Sequence, residues 1–80
     1  MNARKTAQAI AELSMLGAMA AHQDIYDAIA YFDVIHALAR AVDYSHTVHT
    51  NYAQSQCQRA LTIAKRLGPP AVHLVRDALS

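Results

Sequence analysis

One cysteine, two glycines, two prolines, a single phenylalanine and no tryptophan occur among the 80 residues. Each shortage excludes something. Cys57 has no partner within the chain, so no intramolecular disulfide can staple the fold, and nothing in the cysteine content points to an oxidising compartment. A cytoplasmic location is therefore expected. So few glycines and prolines force few turns, which leaves room for long elements. No apolar run reaches the roughly 18 residues needed to cross a membrane. Neither a glycine-rich phosphate loop nor a strained elbow around a serine is present, and Ser14, Ser45 and Ser55 stand without the surroundings that activate a nucleophile. Catalysis is not expected.

What is abundant is alanine. Hydrophobic residues make up 54% of the chain, and 17 of them are Ala against 7 Leu, 5 Ile and 5 Val. Alanine is the strongest helix former and lets helices approach closely, so the composition predicts an all-α fold with thin packing layers. Eighty residues give one domain, residues 1–80, able to bury only about 60% of its unfolded surface. The formal net charge is +1. Its distribution is uneven: Arg4 and Lys5 stand against Glu12, Asp24, Asp27 and Asp33 in residues 1–39, and five cations against Asp43 and Asp77 in residues 40–80. Such asymmetry can steer an acidic partner or orient self-association.

Periodicity places four helices, at about 3–21, 24–42, 44–67 and 71–79, in a small three- to four-helix bundle expected to dimerise. The first opens with basic residues and an apolar stretch that imitate a secretory leader, but Gln8 and Glu12 interrupt it, so it reads as an amphipathic helix. Its apolar arc runs through Ala7, Ile10, Ala11, Leu13, Leu16, Gly17, Ala18 and Ala20, with Met15 and Met19 one turn apart towards the polar side. Methionine suits a soft, adaptable contact. Asp24 is the expected cap of the second helix, and Asp27 complements its dipole.

That second helix is apolar nearly all round, which calls for neighbours on more than one side. Ile25, Ala28, Ile29, Phe32, Ile35, Ala39 and Val42 form the expected core stripe. The opposite side carries Tyr26, Ala30, Tyr31, Val34, Ala37, Leu38 and Ala41, of which Tyr26, Ala30, Val34 and Ala37 are expected to form an uncovered ridge. Tyr26, Tyr31, Val34 and Leu38, with Met15 and Met19, are the candidate contacts for another protein. Residues 43–51 are polar and cap-forming. The four-residue recurrence of Tyr44, Val48 and Tyr52 favours one helix running through them to Leu67, capped by Asp43, over a loop ending at Asn51. Ala53, Cys57, Ala60, Ala64 and Leu67 mark its core face, and Gly68 with Pro69 and Pro70 ends it.

Five histidines offer the one hint of metal chemistry. Asp33/His36 and Asp43/His46 repeat an Asp-x-x-His spacing, and His46 and His49 stand three apart. On a helix that spacing puts two ligands on one face, and imidazole with carboxylate suits zinc or iron. Asp43, His46 and His49 are the candidates. A di-iron bundle wants Glu-x-x-His pairs on facing helices, and Glu12 is the only glutamate. No cofactor is expected.

Near the carboxy terminus, ALTIAKRLGPPAVHLVRDAL resembles a helix-turn-helix DNA-binding element, with Ala64 at the small position of its first helix, Gly68 at the turn and Leu74 at a buried position of its second. Pro69 and Asp77 depart from that pattern, each standing where an aliphatic belongs. The resemblance implies nucleic-acid contacts through Arg59, Lys65, Arg66, His73 and Arg76. Phosphate binding normally needs several cations along one face. The first expectation is therefore a non-enzymatic helical module that binds another protein as an adaptor, chaperone or small inhibitor, as a homodimer. A DNA-binding regulator using residues 60–79 is the alternative.

Overall fold

In the computed structural model, which describes all residues from Met1 to Ser80, the chain is four α-helices with no strand. Helix α1 spans Ala3–Ala20, α2 Ile25–Tyr44, α3 Thr50–Leu67 and α4 Pro69–Leu79. Each follows its predecessor in the opposite direction. Gly17 of α1 lies against Tyr31 and Phe32 of α2, while Ala3 and Ala7 lie beside Val42 and Asp43. Ala41 shares a depression with Ala53, and Cys57 shares it with Leu79. Pro70 neighbours Met19 and Ser80 neighbours Lys5, which returns α4 to α1. The result is an up-down-up-down bundle, 40 × 20 × 17 Å, in which α2 and α4 touch across one diagonal.

Local chemistry sets the helix ends. Asn2 Oδ1 accepts the Arg4 and Lys5 N–H groups at 2.9 and 3.1 Å, satisfying two donors that have no intrahelical partner. Asp24 Oδ1 accepts the Tyr26 N–H at 2.9 Å, so Asp24 caps α2 as its sequence position implies. The continuous helix expected from residue 44 to 67 is not formed. Helix α2 carries on through Asp43 to Tyr44, and residues 45–49 are a loop. Its hydroxyls take over the backbone pairing: Ser45 Oγ donates to Val42 O, Thr47 Oγ1 donates to Tyr44 O, and the His49 N–H donates to Thr47 Oγ1. The tyrosine recurrence has a different cause. Tyr44 and Tyr52 meet edge to face across the loop, centroids 4.9 Å apart, with His49 6.0 Å from Tyr44. Val48 is left at the tip, 91% exposed.

Gly68 alone joins α3 to α4. At φ 109° and ψ −179° it occupies a region that only glycine enters readily. Helix α4 begins two residues earlier than expected, because Pro69 and Pro70 sit in the first turn, where a missing N–H is no loss.

The core is built largely of small side chains. Ala9, Leu13, Val34, Ala37, Leu38, Ala60, Ile63, Ala64, Ala71, Val75 and Ala78 form one buried cluster. The facing of α2 differs from that expected at most positions, although Ala28 is buried and Tyr26 exposed as expected. Val34, Ala37, Leu38 and Ala41 are fully buried or nearly so, whereas Ile25, Ile29 and Phe32 are about half exposed and Ala39 is exposed. Both stripes have helical spacing, and packing chooses between them. Ala37 and Ala41 meet an α3 whose buried residues are Ala53, Ala60, Ile63 and Ala64, three of the four alanines, which favours close approach of the two helices. A face carrying Ile29 and Phe32 would hold them apart. On α1 the buried row is Thr6, Ala9, Leu13 and Gly17, which leaves Ala7, Ala11 and Ala18 outside.

Candidate functional site

The six residues expected to contact a partner do not form one surface. Val34 and Leu38 are sealed in the core and cannot touch another molecule. Tyr31 is half-buried, its Cβ close over Gly17. Tyr26 is exposed in the first turn of α2. Met15 and Met19 are the two that the fold places together at a recess. They are 67% and 65% exposed and, with Leu16, Pro70 and Leu74, line an open groove of about 510 Å³ between α1 and α4. Glu12 and His73 are the polar residues at its margin.

This groove follows from the sequence in two steps. Met15 and Met19 are four apart, so they stack along one side of α1, turned away from the Leu13 and Gly17 row that enters the core. Helix α4 then begins immediately after Gly68, and its first turn brings Pro70 and Leu74 alongside. Sequence reasoning found the methionines. It missed Pro70 and Leu74, which reach them only through the return of α4 to α1. An open recess with flexible thioether walls and few fixed polar groups gives no directional hydrogen bonding, so it suits an apolar side chain better than a polar metabolite.

The chemically reactive residues are engaged elsewhere or dispersed. Ser14, Ser45, Ser55 and Ser80 each donate their hydroxyl to a backbone carbonyl three or four residues earlier. Cys57 lies half-buried in a depression of about 390 Å³ with Met1, Ala41, Ala53 and Leu79 among its walls. Burial pushes its thiol up from the ordinary range, against smaller opposing effects of the terminal ammonium and a backbone hydrogen bond. A raised thiol is a poorer nucleophile near neutral pH. Asp43, His46 and His49 are not gathered into a metal-holding set, because Asp43 ends up within α2 while the two histidines lie in the loop; nowhere do three such side chains converge.

The cationic candidates are partly assembled. Lys65, His73 and Arg76 surround one shallow depression beside Gly68, Pro69 and Val72. Arg59 and Arg66 are exposed on α3, which carries no acidic residue. The geometry around them is not that of the DNA-binding motif, whose second helix crosses the first at about 90–120°. Here α4 folds back along α3 until Leu79 reaches Cys57.

No protein-family model, curated protein or solved structure matches the chain.

Proposed function

We propose that the chain is a non-enzymatic protein–protein interaction module, an adaptor, chaperone or small inhibitor, that holds an apolar segment of its partner in the α1–α4 groove. The observation that carries this reading is the pairing of exposed Met15 and Met19 with Leu16, Pro70 and Leu74 around one open recess. Two long thioether side chains left in water at adjacent turns have no role in the bundle's own core. They offer adaptable contact area of the kind used at binding surfaces. Glu12 at the margin adds a preference for a partner with a cation beside its apolar residues.

The test is affinity capture from native lysate with wild type and with Met15→Glu/Met19→Glu, bound proteins being identified by mass spectrometry. Both positions are exposed, so the double variant should keep its fold, checked by circular dichroism. A partner retained by wild type and lost from the variant is expected. Capture that ignores the substitution would remove the groove from the mechanism.

The depression formed by Lys65, His73 and Arg76 supports a second reading, contact with a nucleic-acid backbone. That reading predicts duplex binding that weakens steeply with salt and, for each of Lys65→Ala and Arg76→Ala, a log–log salt slope lower by about 0.9. Absence of binding to duplex at low salt ends it.

A further inference from the structure

We infer that the outer face of the α1–α2 hairpin seats a second copy of this chain, packed on it about a two-fold axis. The face is distinct from the methionine groove. Its α2 half is the ridge of Ile25, Ile29 and Phe32, each 48–57% exposed and spaced i, i+4, i+7. Its α1 half is a row of small side chains, Ala7, Ala11, Ser14, Ala18 and Ala21, at i, i+4, i+7, i+11, i+14. The alanines in this row are all exposed. Ser14, its polar member, turns its hydroxyl to Ile10 O at 2.8 Å. The two halves lie side by side because Gly17 lets α1 and α2 approach closely: a Cβ there would stand 3.1 Å from Tyr31 Cβ and 3.3 Å from the Phe32 ring.

A large ridge beside a small row is self-complementary. In a two-fold interface the same patch serves both partners, so whatever ridge one copy projects the other must receive. An axis parallel to the helices sets α2 of one copy on α1 of the other. The antiparallel register of the hairpin then places Phe32 and Ile29 over Ala18 and Ala21 of the second copy, and the reverse. Between Ile25 and Phe32 the ridge has no charged member, matching the depletion of charge at the core of homodimer interfaces. Charges enter only at the far end, where exposed Arg4 on α1 and exposed Asp43 on α2 are brought opposite their counterparts of the other sign, with exposed Arg40 beside Asp43.

The area is adequate. Two helices of 18 and 20 residues at 1.5 Å rise and about 10 Å width present a projected face of about 550 Å². Side-chain relief raises this towards the roughly 800 Å² that each partner contributes to a standard interface.

Sedimentation velocity from sub-micromolar to hundreds of micromolar tests the inference on wild type, Ile29→Glu, Ala18→Glu and His73→Glu, with thermal melts confirming that each variant folds. Wild type is expected to reach twice the 8.7 kDa chain mass. Ile29→Glu and Ala18→Glu should each raise the dissociation constant by about 100-fold or more, since each buries an unpaired charge. His73→Glu, in the groove wall on α4 and off both helices of this face, should leave association unchanged. A folded wild-type monomer at every concentration overturns the inference without touching the groove reading. A dimer indifferent to Ile29→Glu and Ala18→Glu, or one broken by His73→Glu instead, overturns it as well.

Discussion

Leu38→Ala compared with Ile29→Ala measures which way α2 faces. Leu38 has no exposed surface and sits in the central cluster with Leu13 and Val34, whereas Ile29 is 52% exposed. Truncating a buried leucine loses the transfer energy of the removed atoms and leaves a cavity, together about 3 kcal/mol within a range of about 2–5. Helices held from both ends cannot collapse fully into the gap, so the lower limit is not expected. An 80-residue domain has about 4–12 kcal/mol of stability in all. At about 4–8 °C per kcal/mol for a domain of this size, Leu38→Ala should lower the melting temperature by about 12–24 °C. Ile29→Ala removes atoms that are already half in water and should cost under about 1 kcal/mol. Urea unfolding at sub-micromolar concentration is the assay, because association would otherwise add to the share of Ile29. The slope with denaturant should stay the same in both variants, confirming that each unfolds from a native-sized structure. An Ile29→Ala loss equal to or greater than that of Leu38→Ala would refute the reasoning and restore the orientation in which Ile25, Ile29 and Phe32 face inward.

Three further outcomes are expected. Gly68→Ala should destabilise by about 1–3 kcal/mol in the same assay although open space surrounds the site, because φ 109° with an extended ψ is nearly closed to any residue with a Cβ; a neutral result would show that the α3–α4 corner relaxes freely. Gly17→Leu should cost more than Gly17→Ala, whose gain of about 1 kcal/mol in helix propensity opposes the 3.1 Å approach to Tyr31 Cβ; equal stabilities would mean that α1 and α2 are not in close contact there. Cys57 should react with an aromatic disulfide reagent more slowly than an unstructured cysteine peptide at pH 8. Since folding raises this thiol, its share of stability is whole below the ordinary thiol range and falls away as pH climbs through the raised value, so the stability difference between wild type and Cys57→Ser should shrink at high alkalinity. Faster reaction than the peptide would contradict the burial of this side chain.

The helices were legible because their end signals are local. Asp24 as cap and Gly68 followed by two prolines as stop act within four residues of themselves, and each sits where its chemistry implies. The 45–49 loop was less legible. Tyr44, Val48 and Tyr52 have a helical interval, yet Tyr44 and Tyr52 earn that interval by stacking across a gap, while Ser45 and Thr47 supply the hydrogen bonds that a helix would have made. The facing of α2 was legible only in part: Ala28 is buried and Tyr26 exposed as expected, but Val34, Ala37, Leu38 and Ala41 are buried where Ile25, Ile29 and Phe32 were expected to be. A helix apolar on every side holds two valid stripes, and periodicity is silent between them. What decides is the depth of the opposing surface, and Ala53, Ala60 and Ala64 belong to another helix. The candidate site shows the same division: Met15 and Met19 could be picked out along one helix, but Pro70 and Leu74 join them only in three dimensions.

The alanine seam between α2 and α3 also bears on which substitutions the chain can absorb. An alanine side chain has no rotamers to lose on burial, so the seam closes with little entropic opposition, but it has no slack either. In a leucine-rich core an added methyl group can be met by a neighbour swinging aside. Where Ala37 and Ala41 meet Ala53 and Ala60 there is nothing to swing, and the relief available is for whole helices to separate. Natural variants should therefore drift freely at exposed large side chains such as Met15 and Val48, and scarcely at all towards larger residues at the buried alanines of the seam.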